Sequence, residues 1–448
     1  MTETHFSPAD IAQMQQQGIT EGEIRRQIAL FSEPPPPARL VRPCTIGDGI
    51  VRLSPEVHPR LLARWEEAAA DGRLSKFVPA SGAASRMFED LDTTEGRQRF
   101  LDRLYRLPFH KELAAACRSC GWELSEATPA EVVRTLLGPA GLGYGALPKG
   151  LISFHRYGSE SRTAFEEHLV EAVETVRDRH RAARVHFTVA PEHEDRFRAL
   201  LAASRERLEK ANGVHLQVTF SHQGSGTDTI AVDMGNAPFR TADGRLLFRP
   251  GGHGALLSNL EALSGDVVFI KNIDNVQRGA GAETACHWKR LLAGYLVSLE
   301  DEARLMGQPI RVCGVVRNTG EPGGGPFWVE GPDGVHAPQI VESAQVDLSS
   351  EAQKAVWSSS THFNPVDLVC SLRDADGRPY RLADFVDPAT VFISKKTKNG
   401  VPLQALERPG LWNGAMAGWL TVFVEVPAET FTPVKTVFDL LRVEHQEE

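Results

Sequence analysis

The 448-residue sequence lacks an apolar run long enough to cross a membrane and has only six scattered cysteines. A membrane-spanning helix needs about 20 consecutive apolar residues, so the composition argues against an integral membrane protein. Residues 1–6 also lack the basic and apolar regions of a signal peptide. Only Cys117 and Cys120 are close in sequence, and no second pair completes a zinc site. We therefore expect a reduced, cytoplasmic protein.

The sequence also lacks an excess of positive charge. It has 49 basic and 58 acidic residues and a formal net charge of −9. Without an overall basic field, a nucleic-acid duplex is a poor candidate partner, although a local basic pocket for a nucleotide stays open. No membrane partner is expected, and the sequence leaves the oligomeric state undetermined.

What is present is typical of a globular protein, with 42% hydrophobic and 24% charged residues. The length predicts two or three domains, or one large α/β domain with insertions. Helix signals dominate residues 1–75, where Ser7-Pro8 and Thr20 are typical helix starts, so we predict an N-terminal helical extension. We predict a core over residues 76–345 with a helical insert at 88–147, and a C-terminal part over 346–448 that completes it.

The stretch KFVPASGAASRM, residues 76–87, is the strongest local signal. It predicts a short buried strand, a turn of small residues at Ala80, Ser81, Gly82 and Ala83, and a helix from about Ser85. Unpaired N–H groups at a helix start suit a phosphate, and Arg86 would add a fixed cation. The alternative is a tight strand-to-helix turn that binds nothing.

Strand and helix patterns alternate after the insert. Residues 163–177 and 192–212 read as helices, whereas 184–190 and 214–220 read as strands. Such alternation predicts an α/β fold with a mixed, mostly parallel sheet, in which ligands bind outside the carboxyl ends of the strands. The turn at 80–86 and the segment at 221–229 would both lie there.

Three further residues stand where they could carry chemistry. Lys149 lies between Pro148 and Gly150, and His253 lies among three glycines. Asp274 follows a buried strand, where a carboxylate beside a phosphate loop suits Mg²⁺. Each also has an ordinary structural explanation: a lysine in a surface turn, a histidine at a helix cap, and an aspartate that caps the next turn.

The order of these motifs resembles the UDP-sugar pyrophosphorylases, the UTP–sugar-1-phosphate uridylyltransferases, and points to a bacterial branch of that group. The matching segments are ASGAASRM at 80–87, PKGL at 148–151, PGGHG at 250–254, NIDN at 272–275, LQALE at 403–407 and FTPVKT at 431–436. The resemblance implies a Rossmann-like nucleotidyltransferase core over about residues 76–442. Two departures are the alanines and serines in the first segment and Ala255 in place of the family's usual aspartate.

The resemblance also implies roles for individual residues. It assigns catalysis to Arg86, Lys149 and Lys435, and Mg²⁺ binding to Asp274. It implies that the nucleotide is held by Ala80, Ser81, Gly82, Ala83, Gln223, Thr229, Gly252, His253 and Gly254. It implies that the substrate is held by Asn272, Arg317, Asn318, Glu321, Glu342, Asn364, Lys396 and Glu407.

The activity implied is synthesis of a nucleoside-diphosphate sugar from a nucleoside triphosphate and a sugar-1-phosphate, with the base and the sugar both open. A non-catalytic nucleotide-sugar-binding protein with the same fold is one alternative, and the altered nucleotide turn favours it. A glycosyltransferase is another, although only one carboxylate is present where an Asp-x-Asp metal motif would be expected.

Overall fold

A computed structural model describes residues 5–263, 265–320, 323–331 and 333–447. The α-helices are α1 (Pro8–Gln17), α2 (Glu21–Ser32), α3 (His58–Ala70), α4 (Thr94–Arg103), α5 (His110–Ser119), α6 (Pro129–Leu137), α7 (Ala164–Val176), α8 (Glu194–Asn212), α9 (Leu257–Glu261), α10 (Gly279–Leu305) and α11 (Glu351–Ser358). The strands are β1 (Leu40–Pro43), β2 (Thr45–Ile46), β3 (Gly49–Val51), β4 (Leu74–Pro79), β5 (Ser153–Tyr157), β6 (Glu160–Thr163), β7 (Ala182–Thr188), β8 (His215–Ser221), β9 (Thr229–Ile230), β10 (Phe248–Arg249), β11 (Val267–Lys271), β12 (Ile310–Arg317), β13 (Gly325–Glu330), β14 (His336–Val341), β15 (His362–Phe363), β16 (Asp367–Ser371), β17 (Phe392–Lys398), β18 (Val401–Glu407) and β19 (Leu420–Glu425).

Local capping chemistry sets several helix ends. The Ser7 hydroxyl accepts a hydrogen bond from the Asp10 N–H at the start of α1, and Gly18 ends that helix in the left-handed conformation. Thr163 forms a reciprocal capping box with Glu166 at the start of α7. The helices predicted at 163–177 and 192–212 are confirmed as α7 and α8, with small shifts at their ends.

The central sheet has the order β2-β3-β19-β12-β16-β11-β4-β7-β8. Along this order, neighbouring strands are parallel except at β16, which runs antiparallel to both β11 and β12. The tenth strand, β15, pairs antiparallel with the end of β12. The predicted mixed, mostly parallel sheet is confirmed. Phe269, Phe77, Phe187 and Val218 lie on the adjacent strands β11, β4, β7 and β8, as expected from the alternation.

Both faces of the sheet are covered by apolar side chains, as a mostly parallel sheet requires. One face packs against α3, α7, α8, α10 and the insert, and buries Phe187 and Phe269. The other face packs against α9 and the segment around Trp419, and buries Phe77 and Phe423. The polar edge formed by the strand ends is therefore where a ligand can reach the sheet.

The two ends of the chain both contribute to this sheet. β2 and β3 add to its edge beside β19, so the N-terminal section contains short strands as well as the predicted helices. Strands of two to four residues are too short to show a hydrophobic period, which is why only helices were predicted there. The insert at 88–147 is helical, with α4, α5 and α6. The domain boundaries themselves stay a prediction.

Two expectations drawn from missing features can be compared with the structure. Among the described residues, none of the helices combines the length and apolarity that a membrane crossing demands. All six cysteines are unpaired, and five of them are buried.

Candidate functional site

The candidate site lies at the carboxyl edge of the central sheet. β4, β7, β8, β11 and β12 all end at this edge, because β16 is the strand that reverses direction between β11 and β12. β11 and β16 pair over their whole lengths, with Lys271 at the end of β11 opposite Asp367 at the start of β16. The loops that follow β11 and precede β16 therefore lie side by side.

The small-residue turn follows β4 directly. The Ala80 N–H donates to the Thr188 carbonyl (2.8 Å), and the Ala84 N–H donates to the Leu147 carbonyl (3.0 Å). Between them Ser81 is half-buried and Gly82 is exposed, and a Cβ built on Gly82 meets nothing within 4 Å. The turn is thus open to a ligand. The expected helix begins at Ser85, as a 3-10 helix, and carries the exposed Arg86.

Three of the sequence-predicted residues meet at one carboxylate. The Lys149 ammonium lies 2.8 Å from Asp274 Oδ2, and the Lys435 ammonium lies 2.9 Å from the same oxygen. Lys149 also donates to the Val434 carbonyl (2.7 Å). These residues are far apart in sequence, so the fold brings them together. Pro148 and Ala83 form an isolated β-bridge, which places Lys149 beside the small-residue turn.

Charge governs protonation at this carboxylate. Burial alone would raise the pKa of Asp274, but the ammonium groups of Lys435 and Lys149 outweigh it and hold the pKa below its ordinary value. Burial lowers the pKa of Lys149 despite the attraction of Asp274. Near neutral pH Asp274 is therefore ionised between two cations. The cluster has a net positive charge, which suits a phosphorylated ligand.

The residues present fit a metal held jointly with a ligand's phosphates, rather than one enclosed by protein. Among the described residues, no group of three or more histidine, cysteine, aspartate or glutamate side chains could hold a metal ion. Within the same residues Asp274 Oδ1 is buried without a hydrogen-bond partner. Mg²⁺ commonly uses one or two carboxylates together with substrate phosphates and water. One free carboxylate oxygen meets that minimum.

The predicted nucleotide contacts form a wall further along the edge. Gly252 adopts φ +73° and ψ −171°, and its backbone lies against Glu407. The His253 ring stacks on Trp412 at 4.1 Å, and its Nδ1 accepts a hydrogen bond from the Leu411 N–H (3.0 Å). Burial lowers the pKa of His253 to about 4, so the ring is neutral at pH 7.

Other members of the predicted nucleotide set have structural partners. A Cβ on Gly254 would lie 2.0 Å from the Pro409 carbonyl oxygen, so this glycine permits close packing. The Gln223 amide lies 3.4 Å from Asp228 Oδ1. The Thr229 hydroxyl donates to the Leu406 carbonyl (2.6 Å), and its side chain is buried.

The predicted substrate contacts gather around two carboxylates. Burial raises the pKa of Glu342, and the negative charge of Glu407 adds to that effect, whereas hydrogen bonds from Trp412 and Asn413 oppose it. Asn364 is buried, and its Nδ2 has no hydrogen-bond partner among the described residues. It precedes β16 and so lies near the end of β11. Asn364 thus lies at the same edge as Asp274, whereas Glu342 and Glu407 lie near each other at the ends of β14 and β18, which belong to two smaller sheets.

The other residues that were predicted to bind the substrate have positions that give less support for that role. Arg317 is mostly exposed and pairs with Glu425 at 3.4 Å, while Asn318 Oδ1 accepts a hydrogen bond from the Gly320 N–H (2.9 Å). Lys396 is exposed on β17, where the structure shows no ion pair to another described residue. Asn272 is half-buried after β11. Glu321 lies outside the described residues.

The structure adds residues that sequence reasoning did not select. Asn275 and Gln277 are buried next to Asp274 and bond to the segment that carries Lys435. Asn275 was part of the quoted NIDN segment, but nothing in the sequence marked its partner Gln277. The Val434 carbonyl accepts a hydrogen bond from Lys149, and such a backbone contact cannot be predicted from the sequence.

Comparison with solved structures gives likenesses of fold. The chain superposes on a uridine diphosphate N-acetylglucosamine pyrophosphorylase from Trypanosoma brucei with a TM-score of 0.53 and 14% identity, covering 98% of this chain and 80% of that one. A UDP-glucose phosphorylase from Trypanosoma brucei gives 0.52 and 16%, covering 97% and 77%. A UDP-glucose pyrophosphorylase variant from Leishmania major, in complex with UDP-glucose, gives 0.50 and 15%, covering 98% and 79%.

Comparison by sequence gives a family. No curated protein matches the chain. The family described as "Domain of unknown function (DUF4301)" matches residues 7–306 and 302–446, which together span nearly the whole chain and every residue of the site described above. By that match, the chain belongs to the DUF4301 family.

Proposed function

We propose that the protein is a nucleotidyltransferase that makes a nucleoside-diphosphate sugar from a nucleoside triphosphate and a sugar-1-phosphate. The observation that carries the proposal is the convergence of Lys149 and Lys435 on Asp274 beside an open turn of small residues. Two cations and one carboxylate with a free oxygen suit two phosphorylated substrates. The fold-level likeness to sugar-nucleotide pyrophosphorylases supports the same reaction class.

The proposed chemistry is an in-line displacement. An oxygen of the sugar-1-phosphate attacks the α-phosphorus of the triphosphate, the bond to the β-phosphate oxygen breaks, and pyrophosphate leaves. Positioning and charge neutralisation supply most of the catalysis in such reactions. Lys149 and Lys435 would hold the α-phosphate and the attacking phosphate, and Arg86 would neutralise the departing pyrophosphate.

Asp274 would have two tasks. Its Oδ2 orients both lysines, and its free Oδ1 would hold Mg²⁺ together with the substrate phosphates. When bound, Mg²⁺ would neutralise phosphate charge. The wall formed by Gly252, His253 and Trp412 would lie against the nucleoside, and Glu342 and Glu407 would accept hydrogen bonds from sugar hydroxyl groups.

The test is release of pyrophosphate from a panel of nucleoside triphosphates and sugar-1-phosphates with Mg²⁺. For the active pair, Asp274→Asn and Lys435→Met should each lower turnover by about 10²–10³-fold, because each removes a group that stabilises the transition state. The double variant should lose less than the product of the two, since both act on one transition state. Lys354→Met, on the exposed face of α11, is the matched control.

Circular dichroism would confirm that each variant is folded. Full activity in both single variants would refute the catalytic assignment. Binding of a nucleotide sugar without turnover of any pair would favour the non-catalytic binding protein. Transfer of sugar from a nucleotide sugar to an acceptor would favour the glycosyltransferase.

A further inference from the structure

The segment of residues 430–436, which we call the C-terminal strap, carries Lys435 to the site. It follows β19 and crosses the turn that bears Asp274, outside the central sheet. The Val434 N–H donates to the Asp274 carbonyl (3.0 Å), and Pro433 forms an isolated β-bridge with Asn275. The position of Lys435 relative to Asp274 therefore depends on how the strap sits on this turn.

Two buried side-chain amides join the turn to the strap. Asn275 Oδ1 accepts hydrogen bonds from the Thr432 N–H (3.1 Å) and from Gln277 Nε2 (2.9 Å). Gln277 Nε2 also donates to the Thr430 carbonyl (2.8 Å). Asn275 is 1% and Gln277 5% exposed, so these bonds are largely shielded from bulk water. The two amides form the seat of the strap.

The orientation of the Gln277 amide is fixed from its other end. Gln277 Oε1 accepts a hydrogen bond from the Lys271 ammonium (3.1 Å), which has only donors to offer. The amide oxygen must therefore face Lys271, and the NH₂ group must face the strap. Lys271 is fully buried and is itself held by Glu171 Oε2 (2.6 Å), so it cannot turn away.

The surrounding ion cluster gives this arrangement its rigidity. Glu171 also pairs with Lys76 (2.7 Å) and lies 3.7 Å from Lys289, which pairs with Asp367. Burial alone would raise the pKa of Glu171, but the three lysines hold it well below its ordinary value. Buried ion clusters often add no more stability than well-packed apolar side chains would. Besides its ion pair with Glu171, Lys271 thus provides a fixed hydrogen-bond donor for Gln277.

We propose that Gln277 is a positioning residue that, oriented by Lys271, seats the C-terminal strap so that Lys435 and Lys149 share one oxygen of Asp274. The part of this proposal that concerns turnover rests on the proposed function. The part that concerns the strap does not, because it is a statement about the order of residues 430–436.

The first experiment measures the strap directly. Gln277→Met keeps the length of the side chain but removes both ends of the amide. Hydrogen exchange should speed up in the peptide containing 430–436, at the Thr432 and Val434 N–H groups, and stay unchanged in the β7–β8 peptides. Gln353→Met is the matched control, because that amide bonds at both ends to the Leu40 backbone, on β1. Unchanged exchange in the strap of Gln277→Met would overturn the proposal.

The second experiment measures pyrophosphate release. Gln277→Met should lower kcat by about 10–100-fold with little change in KM, as misplacing a group by about 1 Å can cost 10²-fold. In a Lys435→Met background the same substitution should cost less than it does in the wild type, because one of the two lysines that the strap positions is already absent, while the Val434 carbonyl still holds Lys149. A loss that multiplies with that of Lys435→Met would overturn the positioning role and indicate general damage. Melting temperatures of both glutamine variants would show whether stability alone explains the loss.

The two proposals can fail separately. A wild-type protein that releases no pyrophosphate with any substrate pair would overturn the proposed function and, with it, the catalytic role of Gln277. Hydrogen exchange would then still decide whether Gln277 seats the strap. An active wild type with an undisturbed strap in Gln277→Met would overturn the positioning proposal alone. Should Gln277→Met fail to fold, Gln277→Leu offers a second apolar replacement for the same measurements.

Discussion

Asp274, Lys149 and Lys435 could be selected as candidate site residues from the sequence alone. A carboxylate after a buried strand and lysines one or two residues after a proline are visible in the sequence, and the structure places all three within hydrogen-bond distance. Gln277 could not be found in this way. Gln277 matters because its amide bonds to the Thr430 carbonyl, 153 residues away, and to the Asn275 side chain, two residues away. No pattern in the sequence predicts such partners.

Gly252 is a residue at which backbone conformation and contact both require the absence of a side chain. Its φ of +73° and ψ of −171° lie in a region that is essentially restricted to glycine. A Cβ there would also lie 2.6 Å from Glu407 Oε2. The glycine therefore lets the 250–254 loop approach the end of β18.

We expect Gly252→Ala to lower the free energy of unfolding by about 1–3 kcal/mol through backbone strain. It should also displace Glu407 and weaken binding of a nucleotide sugar. Urea unfolding and calorimetric titration would measure the two effects. Gly22→Ala in α2 is the control, since its Cβ meets nothing nearer than 3.9 Å and helix propensity favours alanine. An equally stable Gly252→Ala protein would contradict the strain argument.

At the scale of elements, periodic patterns identified the long helices and the core strands. α7, α8, β7, β8 and β11 were all expected from hydrophobic period and length. β16 was not predicted. Its antiparallel position between β11 and β12 is determined by tertiary packing, and nothing in the sequence of its five buried residues predicts that position. The helix expected at Ser85 forms as a 3-10 helix, a type that the sequence pattern did not specify.

The packing of α10 on α3 offers a test at this scale. A Cβ on Gly294 would lie 1.9 Å from the Leu61 carbonyl oxygen, so the two helices touch through backbone. Gly294→Ala should push them apart and cost about 1–3 kcal/mol of stability, as overpacking does. Thermal unfolding would measure the loss. Pyrophosphate release per folded molecule should remain, because neither helix carries a residue that is proposed to contact a substrate. A melting temperature equal to that of wild type would contradict the close approach.

At the scale of the whole molecule, the mixed sheet and its ligand edge could be predicted from strand–helix alternation, because parallel strands end together. The contribution of both chain ends to one sheet could not. β3 and β19 are separated by most of the chain, and their pairing depends on a fold that returns the C-terminal part to the N-terminal section. The C-terminal part also carries His445, which lies in the interior beside His155.

Three neutral histidines in separate regions, His445 buried and His186 and His253 half-buried, make the whole molecule sensitive to acid. Burial lowers the pKa of His186 and of His253 to about 4, and burial together with the charge of His155 lowers that of His445 to about 3. An unfolded chain binds these protons near pH 6.5, whereas the folded chain binds them only near pH 4 or below. Between these values the unfolded state holds more protons, so stability rises with pH and falls on acidification.

We therefore expect the free energy of unfolding to fall between pH 6.5 and about 4, by up to about 1.4 kcal/mol per pH unit for each histidine. Carboxylates such as Asp274, whose pKa is held low by its lysines, add their loss only at more acidic pH. Urea unfolding at pH 7.5 and 5.0 would measure the slope. His253→Gln, which stays neutral, should make the slope shallower, whereas His336→Gln, at an exposed position, should not. Equal stability at the two pH values would show that these rings are not held neutral by burial, because a buried ring that resists protonation must make unfolding easier in acid.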